Sequence, residues 1–211
     1  MKKEMPKGLY AITAERFSNV KDNITVVKEM LDAGIKTLQY REKDKTKLEK
    51  FRQCETIRKL TENYGVFFVV NDDIDIALAV KSDGFHIGQN DLPFEEAKKI
   101  AGADMVIGLS THSPAQAKLA VELGADNIGA GPVFKTFTKE NADEPVGLKY
   151  LEFCANNIKT HKIAIGGIKL SNLAEVCAYK PESICMVTEI TASQNIGKTV
   201  KEAMRIINDN R

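Results

Sequence analysis

Short apolar runs alternate with amphipathic segments along the whole sequence. The apolar runs are rich in Val, Ile, Phe and Leu and are bounded by Gly, Asn or Asp, a pattern typical of strands. We predict eight strands, at residues 9–13, 35–40, 66–70, 83–86, 105–109, 125–129, 162–165 and 183–187. Helices are predicted between them, at residues 23–33, 73–80, 92–100, 148–156 and 196–207 and after Thr46, Ser113 and Ser171.

Capping residues mark the start of three of these helices. Thr46 and Glu49 have the spacing of a capping box. Ser113 is followed by Pro114, a combination that favours an N-cap with proline in the first helical turn. We also predict that Ser171 caps the seventh helix.

The alternation of strands and helices indicates a parallel sheet. Eight such units in 211 residues predict a (β/α)₈ TIM barrel, with residues 1–211 forming a single domain. The alternative is an open doubly wound sheet, which usually has a Gly-rich turn after its first strand. Residues 13–16 read Thr-Ala-Glu-Arg and favour the barrel. Active sites of such barrels lie where the strands end.

Composition and charge exclude several classes of function. The net charge is +1, so we expect no nucleic-acid partner. The N-terminus has lysines but no apolar signal segment, and no apolar run approaches the length of a membrane span. We therefore expect a cytoplasmic protein that acts on small molecules; a homo-oligomer is compatible with the sequence. None of the four cysteines forms a CxxC pair, so reduced core thiols are expected.

Two carboxylates follow consecutive predicted strands. Asp72 comes after the strand at 66–70, and Asp91 after the strand at 83–86. If these strands are parallel neighbours, both carboxylates lie on one rim, where they can bind Mg²⁺ together with a substrate phosphate. Each also precedes a predicted helix, so N-capping is the alternative. Asn71 and the cations expected on the same rim favour the metal site.

The second strand ends in the sequence Gln-Tyr-Arg-Glu-Lys. Strand alternation places Gln39, Arg41 and Lys43 on one side. Arg41 and Lys43 can bind phosphate oxygens, and Gln39 can both donate to and accept from a heterocycle. A solvated charged strand end is the alternative interpretation.

Hydroxyl and imidazole groups follow the fifth strand. Ser110 can donate a hydrogen bond to a substrate, although a turn residue is the simpler interpretation. We predict no Ser/His nucleophile, because His112 has no acidic residue nearby in the sequence to orient it. His86 is expected to be packed within its strand, and His161 to lie on the surface.

Glycine-rich segments follow the sixth and seventh strands. Residues 129–139 read GAGPVFKTFTK, in which Thr136, Thr138 and Lys139 offer hydroxyls and a charge. The loop at 132–146 is long enough to close over a substrate. Gly167 lies in an Ile-Gly-Gly-Ile turn, a pattern that predicts a phosphate site of free N–H groups together with the end of strand eight. Two anion sites on one rim indicate a transferase that joins two phosphorylated ligands.

Taken together, the segments QYREK, VNDD, DGFHIGQND, GLSTHS, GADNIGAGPVFKTFTK, AIGGI and MVTEI resemble the thiamine phosphate synthase family. The resemblance runs in unbroken order from Leu9 to Ile190. It implies that 4-amino-2-methyl-5-hydroxymethylpyrimidine diphosphate is joined to 4-methyl-5-(2-hydroxyethyl)thiazole phosphate, giving thiamine phosphate and diphosphate. It also implies one Mg²⁺ per subunit, held by Asp72 and Asp91.

The resemblance also assigns the substrate contacts. The pyrimidine diphosphate would be bound by Gln39, Tyr40, Arg41, Glu42, Lys43, Asn71, Ser110 and Lys139. The thiazole phosphate would be bound by Thr136, Phe137, Thr138, Gly167, Val187 and Thr188. The catalytic groups would be Arg41, Lys43, Ser110 and Lys139, which with Mg²⁺ stabilise the departing diphosphate without a protein nucleophile.

Two positions depart from the family pattern. Glu189 stands where the family usually has a small residue, and its charge should weaken phosphate binding unless the side chain points away. Lys135 stands where proline is common. Two alternatives remain, a thiazole tautomerase on the same barrel and a non-catalytic barrel that binds thiazole phosphate.

Overall fold

The computed structural model describes residues 2–138 and 144–210. Eight parallel strands close into a barrel in chain order, and β8 pairs with β1. The strands are β1 Gly8–Ile12, β2 Thr37–Tyr40, β3 Phe67–Asn71, β4 Gly84–Ile87, β5 Val106–Thr111, β6 Asn127–Ala130, β7 His161–Ala164 and β8 Ser183–Met186. Tyr10 of β1 pairs with Thr37 on one side and Cys185 on the other. The predicted (β/α)₈ barrel is confirmed.

Helices cover the outside of the barrel. They are α1 Asn23–Asp32, α2 Lys47–Tyr64, α3 Ile74–Ala79, α4 Phe94–Ala101, α5 Pro114–Leu123, α6 Gly147–Asn157, α7 Leu173–Cys177, α8 Thr188–Thr191 and α9 Ile196–Asp209. A short 3₁₀ helix, Glu15–Phe17, precedes α1. The additional turn α8 directly follows β8, so its first residues lie at the barrel rim.

Two of the three predicted helix starts are confirmed. Thr46 and Glu49 form a capping box at α2, and Ser113 accepts a hydrogen bond from the Gln116 N–H at α5. The prediction for Ser171 is wrong, because α7 begins at Leu173 with Asn172 at the N-cap position and no side-chain cap. The Asn172 side chain bonds back to the preceding loop instead.

Side chains alternate between the barrel interior and the helix layer. Tyr10 and Ile12 belong to the interior cluster, whereas Leu9 and Ala11 pack against the helices. Met5, which precedes β1, is also part of the interior cluster. The N-terminal segment therefore fills the end of the barrel where the strands begin, and the opposite end is left for a site.

The four cysteines are buried thiols that form no disulfide, as predicted. Within residues 2–138 and 144–210, no helix combines the length and the apolar character that a membrane crossing requires.

Candidate active site

A cavity of about 530 Å³ opens at the carboxyl ends of the strands. Twelve of the predicted site residues line it: Gln39, Arg41, Lys43, Asn71, Asp72, Asp91, Ser110, Thr136, Thr138, Gly167, Val187 and Thr188. Tyr40, Glu42 and Phe137 are not part of the lining, and Lys139 lies outside the described residues. Barrel closure thus brings most of the predicted site residues together at the ends of the strands.

Alternation at the end of β2 separates the residues that face the cavity from those behind it. The inward-facing Gln39 is buried, and its Nε2 donates to the Tyr10 hydroxyl at 2.8 Å. Tyr40 points outward and its hydroxyl donates to Gln53 Oε1 at 2.8 Å. The side chain of Tyr40 therefore does not reach the cavity, contrary to the role that the family resemblance implies.

Glu42 is also turned away from the cavity. One of its carboxylate oxygens accepts from the Asn23 side chain at 2.8 Å and from the Glu15 N–H at 3.0 Å. The Asn23 side-chain amide also donates to Gln53 Oε1 at 3.0 Å, and the Tyr40 hydroxyl donates to this same oxygen. Tyr40 and Glu42 thus belong to a polar network behind β2 that supports Arg41 and Lys43 from outside.

Asp72, Asp91 and Lys43 all line the cavity. The Lys43 ammonium forms an ion pair with Asp72 Oδ2. Burial raises the pKa of the Asp72 carboxyl, Lys43 opposes this shift, and the neighbouring Asp91 adds to it. Two carboxylates held close together in a partly buried position are suited to a divalent cation.

Neither aspartate acts as a helix N-cap. Asp73 occupies that position at α3, and Pro93 occupies it at α4. Asp72 instead adopts a left-handed backbone conformation with φ of 57°, and Asp91 Oδ2 accepts from the Gly88 N–H at 2.7 Å. The capping alternative for these two residues is therefore wrong.

His86 lines the cavity, although it was predicted to be packed within its strand. Its Nε2 lies 3.0 Å from the Ser110 hydroxyl, and the ring lines the cavity. Burial lowers the pKa of His86 to about 4, so the ring is neutral near pH 7. Its Nδ1 lies beside the Asn127 amide rather than a carboxylate. Among the described residues no carboxylate hydrogen-bonds to the His86 ring, as the acidic member of a nucleophilic triad would.

The other predicted histidines have structural contacts. His112 Nδ1 lies 2.5 Å from the Gly131 carbonyl oxygen, and its backbone N–H donates to Gln116 at 2.7 Å. His161 is half-buried and contacts the Ser183 hydroxyl at 2.9 Å. His161 begins β7, at the opposite end of the barrel from the cavity.

The loops after β6 and β7 pack backbone against backbone. The Phe134 N–H donates to the Gly166 carbonyl at 3.0 Å. A Cβ atom on Gly131 would come within 2.1 Å of the Ile165 carbonyl oxygen, and one on Gly167 within 2.6 Å of the Lys135 carbonyl. Gly167 also has φ of 63°. Glycine is needed here because only bare backbone allows the two loops to meet at the cavity wall.

The two departures from the family pattern have defined contacts. Glu189 Oε1 accepts from the Leu170 N–H at 3.1 Å, and Glu189 is not part of the cavity lining. Its carboxylate is thus directed to the loop after β7. Lys135 Nζ lies 5.4 Å from the centroid of the Phe137 ring, which is 76% exposed. Phe137 therefore lies at the surface, whereas its neighbours Thr136 and Thr138 line the cavity.

Several cavity residues were not predicted. They are Tyr10, His86, Gln89, His112, Gln116 and Lys169, among others. His86 could have been found from alternation, because the apolar Phe85 and Ile87 on either side pack against the helices. Lys169 lies in a loop, where the sequence has no periodicity to indicate direction.

Comparisons with known proteins agree with this geometry. A family model described as thiamine monophosphate synthase matches residues 9–190. The thiamine-phosphate synthase of Pelotomaculum thermopropionicum is 48% identical over 199 residues, covering 94% of this chain and 91% of that protein. The corresponding protein of Caldicellulosiruptor bescii is 47% identical, with 94% and 91% covered.

A solved structure supports the same relationship. Thiamine phosphate pyrophosphorylase from Pyrococcus furiosus matches with a TM-score of 0.89 and 33% identity, covering 96% of both chains. Sequence and structure agree over nearly the full length, and the chain belongs to the thiamine monophosphate synthase family.

Proposed function

We propose that this protein joins the pyrimidine diphosphate to the thiazole phosphate, releasing diphosphate and forming thiamine phosphate in the cytoplasm. One observation carries the proposal. A single cavity presents Arg41, Lys43 and two aspartates on one side, and a glycine-rich loop with threonine hydroxyls on another. Two separate anion-binding regions in one cavity suit two phosphorylated substrates that must meet.

The diphosphate would bind at the end of β2 and β3. Arg41 can contact two phosphate oxygens through its guanidinium, and Lys43 can add a second positive charge. Asn71 and the Ser110 hydroxyl can donate further hydrogen bonds from the same wall. These groups would bind the charge that grows on the leaving diphosphate, which lowers the barrier to its departure.

Asp72 and Asp91 fit a Mg²⁺ site. The described residues contain no cluster of three or more His, Cys, Asp or Glu side chains, so two carboxylates are the protein ligands to consider. Two carboxylates suffice when substrate phosphates and water complete the coordination. Mg²⁺ bound there would neutralise charge on the diphosphate. Lys43 would then be released from Asp72 to contact the substrate.

Gln39 would bind the pyrimidine ring. Because its Nε2 donates to the Tyr10 hydroxyl, its Oε1 is oriented as the acceptor. The exocyclic amino group of the pyrimidine is a matching donor. The amide would thus fix the ring so that its methylene carbon faces the thiazole.

The thiazole phosphate would bind between the loop after β7 and the start of α8. Gly167 brings backbone N–H groups to the wall, and Thr188, Thr136 and Thr138 supply hydroxyls. Thr136 and Thr138 already lie near each other, with 3.2 Å between their hydroxyl oxygens. Positioning of the thiazole nitrogen near the methylene carbon would supply much of the rate enhancement.

The reaction needs no protein nucleophile. The carbon–oxygen bond breaks and its electron pair leaves with diphosphate, while the pyrimidine amino group stabilises the cation. The thiazole nitrogen then uses its lone pair to form the new carbon–nitrogen bond. A neutral His86 beside Ser110, with no carboxylate of the described residues hydrogen-bonded to its ring, is consistent with binding rather than covalent catalysis.

The test is an assay for thiamine phosphate with both substrates, first with Mg²⁺ and then with EDTA. We expect product with Mg²⁺ and a loss of activity with EDTA that added Mg²⁺ restores. Isomerised thiazole without coupled product would support the tautomerase. Tight binding of thiazole phosphate without any reaction would support the non-catalytic binder.

A further inference from the structure

Lys169 places a third positive charge in the cavity. Among the described lining residues, Arg41, Lys43 and Lys169 are the lysines and arginines. Arg41 and Lys43 follow β2, whereas Lys169 follows β7, and β1 and β8 separate these strands in the barrel. The positive charges are therefore divided between the two proposed anion-binding regions.

The ammonium group of Lys169 differs from that of Lys43 in its contacts. Lys43 is paired with Asp72, but within residues 2–138 and 144–210 Lys169 has no carboxylate at ion-pair distance. Its backbone, in contrast, is firmly held. The Lys169 N–H donates to Asn172 Oδ1 at 2.8 Å, and the next N–H, of Leu170, donates to Glu189 at 3.1 Å. An ordered loop thus presents a cation that no carboxylate of the described residues neutralises.

We propose that Lys169 binds the phosphate group of the thiazole substrate and makes the enzyme prefer the phosphorylated thiazole over the free alcohol. The phosphate would otherwise be held by backbone N–H groups near Gly167 and by neutral hydroxyls such as that of Thr188. A cation at the same loop can donate a charge-assisted hydrogen bond to the anionic phosphate. The neutral hydroxyl of the free alcohol forms a weaker bond with the same cation. The inference rests on the proposed function.

The expected effect is moderate because Lys169 is exposed to solvent. Water screens the charge, so removing it should weaken phosphate binding by about tenfold rather than abolish it. The diphosphate region lies elsewhere along the rim, so binding of the pyrimidine diphosphate should change little. This selectivity separates a phosphate contact from a general loss of structure.

The experiment compares Lys169→Gln, Lys169→Arg and a control, Lys201→Gln, on the exposed face of α9. The KM is measured for the thiazole phosphate, the free thiazole alcohol and the pyrimidine diphosphate. We expect Lys169→Gln to raise the first KM about tenfold and to leave the other two within about twofold. Lys169→Arg should retain most of the affinity, and Lys201→Gln should match the parent protein.

Calorimetry gives a second readout that does not require turnover. It measures the Kd of thiazole phosphate for the parent protein and for Lys169→Gln. Equal affinity of the two proteins would overturn the inference, as would a uniform rise in all three KM values. If the parent protein formed no thiamine phosphate from the two substrates, the proposed function would be overturned instead. In that case a tenfold difference in calorimetric affinity would still support the phosphate contact.

Discussion

At the scale of single residues, Asp72 and Asp91 are central because the proposed metal site depends on their carboxylates. Burial, together with the neighbouring Asp91, raises the pKa of the Asp72 carboxyl, and Lys43 offsets part of that shift. A divalent cation would satisfy both carboxylates at once.

We expect Asp91→Asn to lower the turnover number by about 100-fold, because an amide is a weaker ligand than a carboxylate. The control is Asp75→Asn, an exposed α3 residue outside the cavity, which should retain activity. Steady-state rates across a Mg²⁺ titration provide the measurement. Equal rates and equal Mg²⁺ dependence in the parent protein and Asp91→Asn would rule out a metal role for Asp91.

His86 gives a prediction about stability and pH. Its pKa is about 4 in the folded protein against 6.5 ordinarily. Between these values the unfolded chain binds a proton that the folded protein does not, so the free energy of unfolding falls as the pH is lowered through this window. The loss attributable to His86 should approach about 3 kcal/mol near pH 4.

The measurement is urea unfolding at several pH values for the parent protein and for His86→Gln. The variant should lose less stability between pH 6.5 and pH 4, because its side chain does not titrate. Parallel stability curves for the two proteins would show that His86 is not held neutral by the fold.

At the scale of elements, the end of β2 works as a two-sided unit. Gln39, Arg41 and Lys43 face the cavity, and Tyr40 and Glu42 connect the strand to the network behind it. The family resemblance treats the five residues as one binding segment, but strand alternation divides them into contacts and supports.

We expect Tyr40→Phe to lose about 1 kcal/mol of stability, since it removes the hydroxyl that donates to Gln53. Its KM for the pyrimidine diphosphate should stay within about threefold of the parent value. Gln39→Ala should instead raise that KM by about tenfold or more. A different result would contradict the assignment of Gln39 to substrate binding and of Tyr40 to structural support. In that result Tyr40→Phe would raise the KM as much as Gln39→Ala does and would leave the Tm unchanged.

Glu189 links α8 to the loop after β7, two elements that form the proposed phosphate region. Glu189→Ala removes the acceptor of the Leu170 N–H, so we expect the Kd for thiazole phosphate to rise about fivefold. Glu189→Gln keeps an acceptor oxygen and should bind at least as well as the parent protein. Tighter binding by both variants would show that Glu189 acts mainly by repelling phosphate.

At the scale of the whole molecule, most of the fold could be predicted because its regularities are local. Period-two apolar runs and helical stripes predict the eight units, and barrel closure then brings the strand ends together. Thus Asp72 and Asp91, separated in the sequence, could be placed on one rim. The direction of a loop side chain such as Lys169 depends on tertiary hydrogen bonds, and no periodic pattern in the sequence indicates it.

Two residues differ from their predicted positions, Ser171 and His86. Asn172 closes its own loop and so displaces Ser171 as the expected cap. His86 looked like a core residue because its strand is buried, yet its side chain faces the polar end of the barrel. Strand alternation could have placed His86 in the cavity, whereas no sequence pattern distinguishes Asn172 from Ser171 as the residue whose side chain bonds back to Gly167 and Lys169.

The central claim is that one cavity binds two phosphorylated heterocycles in a fixed orientation. A crystal structure with Mg²⁺, diphosphate and thiamine phosphate would test it directly. We predict that diphosphate and the metal bind beside Arg41, Asp72 and Asp91. The phosphate group of thiamine phosphate should lie between Gly167 and Thr188. The reverse orientation, or a phosphate group bound outside this cavity, would contradict the account.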